Sequence, residues 1–438
     1  ALFSKPDIIV IDEAHRFEEA AAQMLGSAFT FNDIKRMPKL VNRLEQLLMY
    51  HITSSKNLEP LGWELIRGLS SAVQWKDEEE SGRAFIEINN RLLQDIEEYL
   101  EILSGISKLV SLADTQRQKL PELAAVSEKV SATMKGLINS DSFVCWAQMK
   151  GRKVESFNAI PRDMSKKLNN LLWNHRRPVI LTSATLTGNG PKDYSYWVTS
   201  LGISNANPMN AVNSPFDFRK NRIVYLPPLE TIPDHNSEEF LEFATNEVAK
   251  LVKVTGGRTL ILLTSYKDMY YISRTLRNLV PDYNLLIQGQ EQEARLVERF
   301  KQLPHSVLLG TAYWEGLDIS GPALTSVICI KLPFPPPDPV LEAKAEEAKN
   351  RGLDPFTSVY LSAMLIKLKQ GIGRLIRTSE DYGVFSILDK RAHLGQKSYS
   401  ALIHAQLKPS EITDSLERVK SFISSKEQTR FRKAGQST

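Results

Sequence analysis

Short apolar runs alternate with longer mixed segments along the second half of the chain, and this alternation predicts a parallel sheet. Each run is rich in Val, Ile and Leu, and most of the segments between them have the length and composition of helices. A parallel sheet is covered by helices on both faces, so its strands are apolar throughout rather than on alternate residues. The predicted strands are Ile223–Leu226, Thr259–Thr264, Leu285–Gln288, Val307–Gly310, Ser326–Lys331 and Val384–Leu388.

Residues from about 17 to 141 have a different pattern, in which apolar residues recur at spacings of three and four. This period predicts amphipathic helices that pack on one another. The clearest stripe consists of Leu92, Ile96, Tyr99, Leu103, Ile106 and Val110. The helical region therefore looks like a module inserted into an α/β chain.

Two further apolar runs flank the helical module, Ile8–Ile11 before it and Val179–Thr182 after it. Each is followed at once by polar residues, as in a buried strand that presents side chains at its carboxyl end. We expect these two strands to lie in one parallel sheet despite the insertion between them. The predicted fold class is α/β, with two parallel-sheet domains and a helical insertion in the first.

Composition restricts the class of protein without identifying it. The 438 residues are 42% hydrophobic and 24% charged, as in ordinary globular proteins, and the net charge of +4 permits a nucleic-acid partner without requiring one. Cys145 and Cys329 are far apart and form no CxxC pair, which indicates neither a disulfide framework nor a thiolate metal site and fits a cytoplasmic location. The sequence contains no signal peptide and no long apolar run, so we expect no membrane span.

The first candidate motif directly follows the run Ile8–Ile11 and consists of Asp12, Glu13, Ala14 and His15. Adjacent carboxylates at a strand end suit nucleotide hydrolysis, because one can hold Mg²⁺ while its neighbour orients and deprotonates the attacking water. A solvated strand edge is the alternative, and these four residues alone do not decide between the two.

Two more motifs follow predicted strands. Val179–Leu186, VILTSATL, ends in small hydroxyl residues, of which Ser183 and Thr185 are the candidates. Gly310–Gly321, GTAYWEGLDISG, enters a loop whose glycine lets backbone approach a ligand closely. Its two aromatic residues either stack on bases or lie partly buried against the sheet. The candidates in this loop are Tyr313, Trp314, Glu315, Gly316 and Asp318.

The fourth motif is Gln370–Arg377, QGIGRLIR. Arg374 and Arg377 are three residues apart, which predicts that they share one face of a helix. The planar guanidinium fork suits phosphate oxygens. An unremarkable pair of surface arginines is the alternative for this motif taken alone.

Taken together, the motifs DEAH, SAT, EGLD and QxxGRxxR resemble motifs II, III, V and VI of the superfamily 2 helicases in their order. Leu262–Met269, LLTSYKDM, lies where motif IV would be. The long helical insertion between DEAH and SAT, and the sequence LPFPPPDPVLEAK from Leu332 to Lys344, narrow the resemblance to the XPD/DinG family. The resemblance covers nearly the whole chain.

This resemblance implies an ATP-dependent DNA helicase with two RecA-like motor domains and ATP bound in the cleft between them. Movement along single-stranded DNA, typically 5′ to 3′, in DNA repair or related DNA metabolism is the implied activity. In that family arrangement Asp12 would bind Mg²⁺, Glu13 would be the general base, and Arg374 and Arg377 would neutralise charge on the γ-phosphate. The resemblance implies nucleotide binding by His15, Glu315, Gly316, Asp318 and Gln370. It implies that Ser183 and Thr185 couple the nucleotide site to the DNA groove. The residues implied to contact DNA are Thr264, Ser265, Tyr266, Tyr313 and Trp314.

The resemblance also implies a division of the chain. Residues 1–19 and 141–215 would form the remainder of the first motor domain, residues 20–140 an arch-like helical insertion, and residues 216–438 the second motor domain. A motor of this type needs a phosphate-binding loop, GxxxxGK[ST], before its acidic strand. No such sequence occurs in the 438 residues. We therefore expect a chain truncated at its N-terminal side that does not hydrolyse ATP by itself.

Three interpretations follow from these expectations. The leading one is a helicase of the DinG type. The second is a DinG-like ATPase coupled to a nuclease domain or to a CRISPR-associated role. The third is a nucleic-acid-binding chain without turnover. In some members of the family an iron–sulfur cluster is held by cysteines upstream of the acidic strand, and this sequence contains no ligands for it.

Overall fold

A computed structural model describes residues 8–49, 56–75, 81–115, 121–174, 177–183, 194–203, 205–207, 209, 212, 214–316, 319 and 321–436. Its strands are β1 Ile9–Ile11, β2 Ser27–Phe29, β3 Val73–Gln74, β4 Ser81–Ile86, β5 Phe143–Lys150, β6 Lys153–Pro161, β7 Val179–Leu181, β8 Arg222–Tyr225, β9 Thr259–Leu262, β10 Asn284–Ile287, β11 Ser306–Gly310, β12 Ser326–Cys329, β13 Gly383–Ile387 and β14 Glu411–Thr413. Its α-helices are α1 Phe17–Leu25, α2 Phe31–Leu48, α3 Leu58–Ala72, α4 Asn90–Thr115, α5 Pro121–Leu137, α6 Met164–Leu168, α7 Ser195–Ser200, α8 Phe218–Asn221, α9 Glu238–Thr255, α10 Tyr266–Leu279, α11 Glu293–Gln302, α12 Pro339–Asn350, α13 Ser362–Gly373, α14 Ser400–Leu407 and α15 Leu416–Gln436.

The chain divides into two compact units. Unit 1 contains Ala1–Leu186, Tyr194–Pro208 and Pro336–Val359, and unit 2 contains Thr187–Asp193, Met209–Pro335 and Tyr360–Thr438. Among the described residues, no helix has the length and apolar character that a membrane crossing requires.

Unit 2 is built on a seven-stranded sheet in the order β10-β11-β9-β12-β13-β8-β14, and every neighbouring pair is parallel. Successive residues of a strand point to opposite faces. Leu260 and Leu262 accordingly pack with α11, α13 and α14, while Ile261 and Leu263 pack with α9, α10 and α15. The six strands predicted from the apolar runs are all confirmed, with ends that differ by a few residues. The short strand β14 was not predicted, because it has only three residues and only one of them, Ile412, is apolar.

In unit 1, β1 and β7 form a parallel pair in the register Ile9–Val179, Val10–Ile180 and Ile11–Leu181. The prediction that these runs share a parallel sheet is confirmed. The prediction that they are buried is wrong, since Val10 and Ile180 are 61% and 50% exposed. The physical reason is that Val10 and Ile180 are paired and point to the same face, and the described residues leave that face largely uncovered.

The insertion packs α2, α3, α4 and α5 around one apolar core, and the predicted stripe of Leu92 to Val110 lies inside it. The prediction of a mainly helical module is incomplete, because an antiparallel sheet of order β2-β6-β5-β4-β3 packs on the same core. The hairpin β5–β6 supplies Ala147, Met149 and Phe157 to that core. The predicted boundary at residue 140 therefore needs correction, since it separates β5 and β6 from the strands they pair with.

Residues Pro336–Val359 also depart from the predicted division, which assigned them to the second motor domain. They belong to unit 1, where Val340 and Ala343 of α12 pack against Val144, Trp146 and Ile160 of the antiparallel sheet. Ion pairs surround this apolar contact: Lys344–Glu18 at 2.9 Å, Arg162–Glu346 at 3.0 Å and Arg83–Asp338 at 3.6 Å. Local sequence could not reveal this placement, because the contacts join residues far apart in the chain.

Candidate functional site

The carboxyl end of β1 presents the two predicted carboxylates to solvent. The backbone turns sharply there, and Glu13 has left-handed dihedral angles, with φ 48° and ψ 46°. A residue with a side chain pays about 1 kcal/mol for this conformation, and such strained residues concentrate at functional sites. Within this turn Asp12 Oδ1 accepts a hydrogen bond of 2.9 Å from the Glu13 amide.

The SAT motif meets the DEAH motif at this point. The Ala14 amide donates to the Thr182 carbonyl at 3.0 Å, which continues the pairing of β1 with β7 into the motif. Beyond it, the Ser183 hydroxyl donates to Glu13 Oε2 at 3.2 Å. His15 Nδ1 lies 2.9 Å from the Ser183 hydroxyl and 3.2 Å from Glu13 Oε2. The structure thus brings together Glu13, His15 and Ser183.

This arrangement suits general-base chemistry on water. The Glu13 carboxylate is exposed, and its contacts with Ser183 and His15 are confined to one oxygen in the hydrogen bonds above. Asp12 offers an exposed oxygen ligand beside it. No group of three His, Cys, Asp or Glu side chains able to hold a metal occurs in the part of the chain that the structure describes. A single carboxylate fits Mg²⁺ that is held mainly by nucleotide phosphates and water.

In unit 2 the loop after β11 is anchored by its aromatic residues. Tyr313 and Trp314 are 0% and 1% exposed, and Trp314 Nε1 donates to the Leu263 carbonyl at 2.8 Å. The prediction that these rings stack on bases is wrong, because both rings lie inside the apolar core. The open alternative of burial against the sheet is the correct one.

Trp314 also joins this loop to the arginine motif. A Cβ at Gly371 would lie 2.9 Å from the Trp314 ring, so only glycine lets α13 approach the ring this closely. Arg374 donates from Nε and Nη2 to the Trp314 carbonyl at 3.0 and 2.9 Å. The prediction that Arg374 and Arg377 share a helix face is wrong, because α13 ends at Gly373 and Arg377 lies in the turn beyond it.

Two residues that sequence reasoning missed hold this loop at its ends. The buried carboxylate of Asp381 accepts from the amides of Gly321, Arg377 and Thr378 at 2.8 to 3.0 Å. Gln288 Oε1 accepts from the amides of Thr311 and Ala312 at 2.7 and 3.0 Å. Gln288 is the last residue of a predicted strand, next to where motif residues occur on other strands, and that position was the available signal.

Gln288 links the loop to the segment predicted to contact DNA, since its Nε2 donates to the Tyr266 hydroxyl at 3.0 Å. Ser265 begins α10 and accepts from the Asp268 amide at 3.1 Å, and Thr264 lies between β9 and this helix. The structure therefore places Thr264, Ser265 and Tyr266 beside the motif loop, at the carboxyl edge of the sheet.

Three more of the predicted residues lie in unit 2. Gly316 has φ 74°, a left-handed conformation that favours glycine, and Glu315 precedes it. Gln370 lies in α13, and its buried Oε1 has no hydrogen-bond partner in the described residues. Thr185 and Asp318, which were also predicted, lie outside the described residues.

Comparison with known proteins agrees with the motif order. Residues 248–410 match a family model described as the helicase C-terminal domain. The chain is 29% identical to the ATP-dependent DNA helicase YoaA of Haemophilus influenzae over 441 residues, covering 97% of this chain and 66% of YoaA. It is 31% identical to the ATP-dependent helicase DinG of Mycobacterium tuberculosis over 297 residues, covering 66% of this chain and 44% of DinG. The chain thus spans just under two thirds of the length of YoaA and less than half of DinG.

The fold is also similar to that of a solved XPD structure. The solved structure of S. tokodaii Xpd4 superposes with a TM-score of 0.57 at 15% identity, covering 93% of this chain and 75% of Xpd4. The chain is thus similar to XPD/DinG-like helicases of superfamily 2 in its fold, in the order of its motifs and in its helicase C-terminal domain.

Proposed function

We propose that the protein is an ATP-dependent DNA helicase that translocates along single-stranded DNA. The observation that carries the proposal is the strained, exposed Glu13 at the carboxyl end of β1, with Ser183 of the neighbouring strand hydrogen-bonded to it. A side chain held in this way is suited to accept a proton from water. The names of the related helicases and the matched helicase domain support the same activity.

The proposal assigns roles to this chain's own residues. Glu13 accepts the proton of the attacking water, and Ser183 and His15 hold its carboxylate in place. Asp12 binds Mg²⁺, which when bound neutralises phosphate charge. Arg374 and Arg377 stabilise negative charge on the transferred phosphoryl group. Gln370, Glu315 and Gly316 contribute to nucleotide binding.

Coupling between nucleotide and DNA is proposed to use the contacts around the motif loop. Trp314 connects the arginine motif to the end of β9 through Arg374 on one side and Leu263 on the other. Thr264, Ser265 and Tyr266 follow that strand and are proposed to contact the DNA backbone. A change at the arginine motif can therefore reach the proposed DNA contacts through one buried side chain.

The proposal also includes a role in DNA repair, 5′-to-3′ movement along the DNA and a cytoplasmic location.

The test is DNA-stimulated ATP hydrolysis and strand separation by the protein expressed from its whole gene. We expect hydrolysis to rise on addition of oligo-dT, and separation of partial duplexes with a 5′ single-stranded tail. Separation only of substrates with a 3′ tail would contradict the polarity. Hydrolysis that does not respond to DNA would contradict the helicase activity itself.

A further inference from the structure

The exposed face of α10 carries three cations and two aromatic rings and no acidic residue. Lys267, Arg274 and Arg277 are exposed, and Tyr270 and Tyr271 are 52% and 43% exposed. At 100° per residue these five side chains occupy roughly one third of the helix circumference. The one acidic residue of α10, Asp268, is buried and pairs with Lys331 at 2.7 Å.

The cations of this face lack ion-pair partners. Lys267, Arg274 and Arg277 form no salt bridge within the described residues, and the face is therefore uniformly positive. The helix α11, on the opposite face of the sheet, is a useful contrast. Its Arg295 and Arg299 both pair with Glu291, as surface arginines commonly do. The α10 arrangement is thus not a general property of helices in unit 2.

The aromatic residues indicate what kind of polyanion fits this face. Tyr270 is exposed on one side and meets the Tyr266 ring on the other, with centroids 6.5 Å apart. The exposed rings therefore continue from Tyr266, which is already proposed to contact DNA, along the helix. Exposed aromatic rings interleaved with cations match single-stranded nucleic acid, in which bases stack on rings while phosphates meet the cations.

We propose that the exposed face of α10, formed by Lys267, Tyr270, Tyr271, Arg274 and Arg277, is a binding surface for single-stranded DNA. This inference rests on the proposed function and extends it from the loop Thr264–Tyr266 to the length of the helix. The cations contact phosphates, and the two tyrosines stack on bases without reading their sequence. Duplex DNA, whose bases are already stacked, gains nothing from the tyrosines.

The experiment is a fluorescence titration of labelled oligo-dT at several salt concentrations with this chain and its variants. The variant Lys267→Ala/Arg274→Ala/Arg277→Ala should weaken binding on the order of tenfold and reduce the slope of log affinity against log salt by about 2, since each phosphate contact with a single strand contributes about 0.7. The control, Arg295→Ala/Arg299→Ala/Lys301→Ala, removes the same charge from α11. It should have a much smaller effect on both quantities.

Substitution of the tyrosines should affect the salt dependence of binding differently from substitution of the cations. Tyr270→Ala/Tyr271→Ala should weaken binding by about tenfold or more with the salt slope unchanged, because stacking releases no counterions. Tyr270→Phe/Tyr271→Phe should restore nearly the full affinity. Melting temperatures equal to that of the unaltered chain would show that the variants are folded.

The outcomes separate this inference from the function on which it rests. Equal losses in the α10 and α11 triple variants would mean that only net charge matters, and the inference would be wrong. Normal DNA binding by every α10 variant would also overturn it and would leave the face for an acidic protein partner. If the unaltered chain fails to bind oligo-dT even at low salt, the proposed DNA partner of the chain is itself wrong.

Discussion

The β1–β7 pair of unit 1 and the seven-stranded sheet of unit 2 come from similar apolar runs but differ in how they hold their motif residues. In unit 1, Glu13 stands exposed on a strained turn, and within the described residues its carboxylate contacts Ser183 and His15. In unit 2, the motif loop is tied to the core by Trp314, Gln288 and Asp381. Motif residues are therefore exposed in unit 1, whereas in unit 2 some of them also hold the fold together.

This difference predicts which substitutions should change stability and which should change turnover. Changes to buried motif residues of unit 2 should lower the free energy of unfolding, whereas changes at Glu13 should alter turnover with little effect on stability.

Trp314→Ala should have the largest effect, destabilising unit 2 by about 4 kcal/mol, because it removes a fully buried ring and its hydrogen bond to Leu263. Denaturant unfolding combined with hydrogen exchange of the β9 and β11 amides would measure the change. Trp63→Ala is the matched control, since this tryptophan is half exposed on α3. It should cost about 1 kcal/mol or less. Equal costs would mean that Trp314 is not the anchor described here.

Asp389→Asn should destabilise unit 2 by about 3 kcal/mol, because it leaves Arg391 without its bidentate partner in a buried site. Burial alone would raise the pKa of the Asp389 carboxyl, but the hydrogen bonds and charge of Arg391 and the Leu332 amide outweigh burial and lower the pKa. A lowered pKa in the folded state stabilises the protein above the ordinary carboxyl pKa, and this contribution is lost as pH falls through the folded-state value.

The difference in stability between the unaltered protein and Asp389→Asn should therefore shrink on acidification below about pH 4. Asp234→Asn, at an exposed carboxylate paired with Lys390, should change the free energy of unfolding much less over the same pH range, because solvent screens this pair. A stability difference that grows as the pH falls would contradict the assigned direction of the pKa.

Arg374→Ala should cost about 2 kcal/mol through the lost hydrogen bonds to the Trp314 carbonyl, and should also strongly reduce DNA-stimulated hydrolysis. Arg374→Lys can restore one hydrogen bond, so it should recover part of the stability. It should not recover the hydrolysis rate, since a point charge does not reproduce the guanidinium fork. Arg377→Ala should reduce the rate in the same assay. Full recovery of the rate by lysine would reduce the role of Arg374 to general positive charge.

Glu13→Gln should leave the free energy of unfolding unchanged while lowering DNA-stimulated hydrolysis at least about a hundredfold, because an amide accepts no proton from water. Glu13→Gly should be equally inactive and within about 1 kcal/mol of the unaltered protein in stability, since glycine adopts φ 48° without strain but gains entropy when unfolded. Hydrolysis would be measured in the protein expressed from its whole gene. Near-normal turnover of either variant would exclude Glu13 as the base.

Much of unit 2 follows from sequence alone. The apolar runs from Ile223 to Leu388 predicted its strands, because a strand buried on both faces must be apolar at successive residues. The residues that directly follow the apolar runs likewise indicated which strand ends carry Asp12, Glu13 and Ser183. Both inferences are local, since each depends only on residues that are neighbours in the chain.

Tertiary structure decided what those residues touch. The burial of Trp314 depends on α13 reaching it across Gly371, and the position of α12 in unit 1 depends on Val340 and Ala343 meeting the β5–β6 hairpin. The insertion's antiparallel sheet likewise depends on pairing between β2, β4 and that hairpin. These contacts join segments far apart in sequence, and periodicity carries no information about which distant surface covers a given side chain. The sequence by itself therefore determined the strands of the central sheet in unit 2 and the residue types of the candidate site, while packing determined which aromatic and charged side chains are exposed.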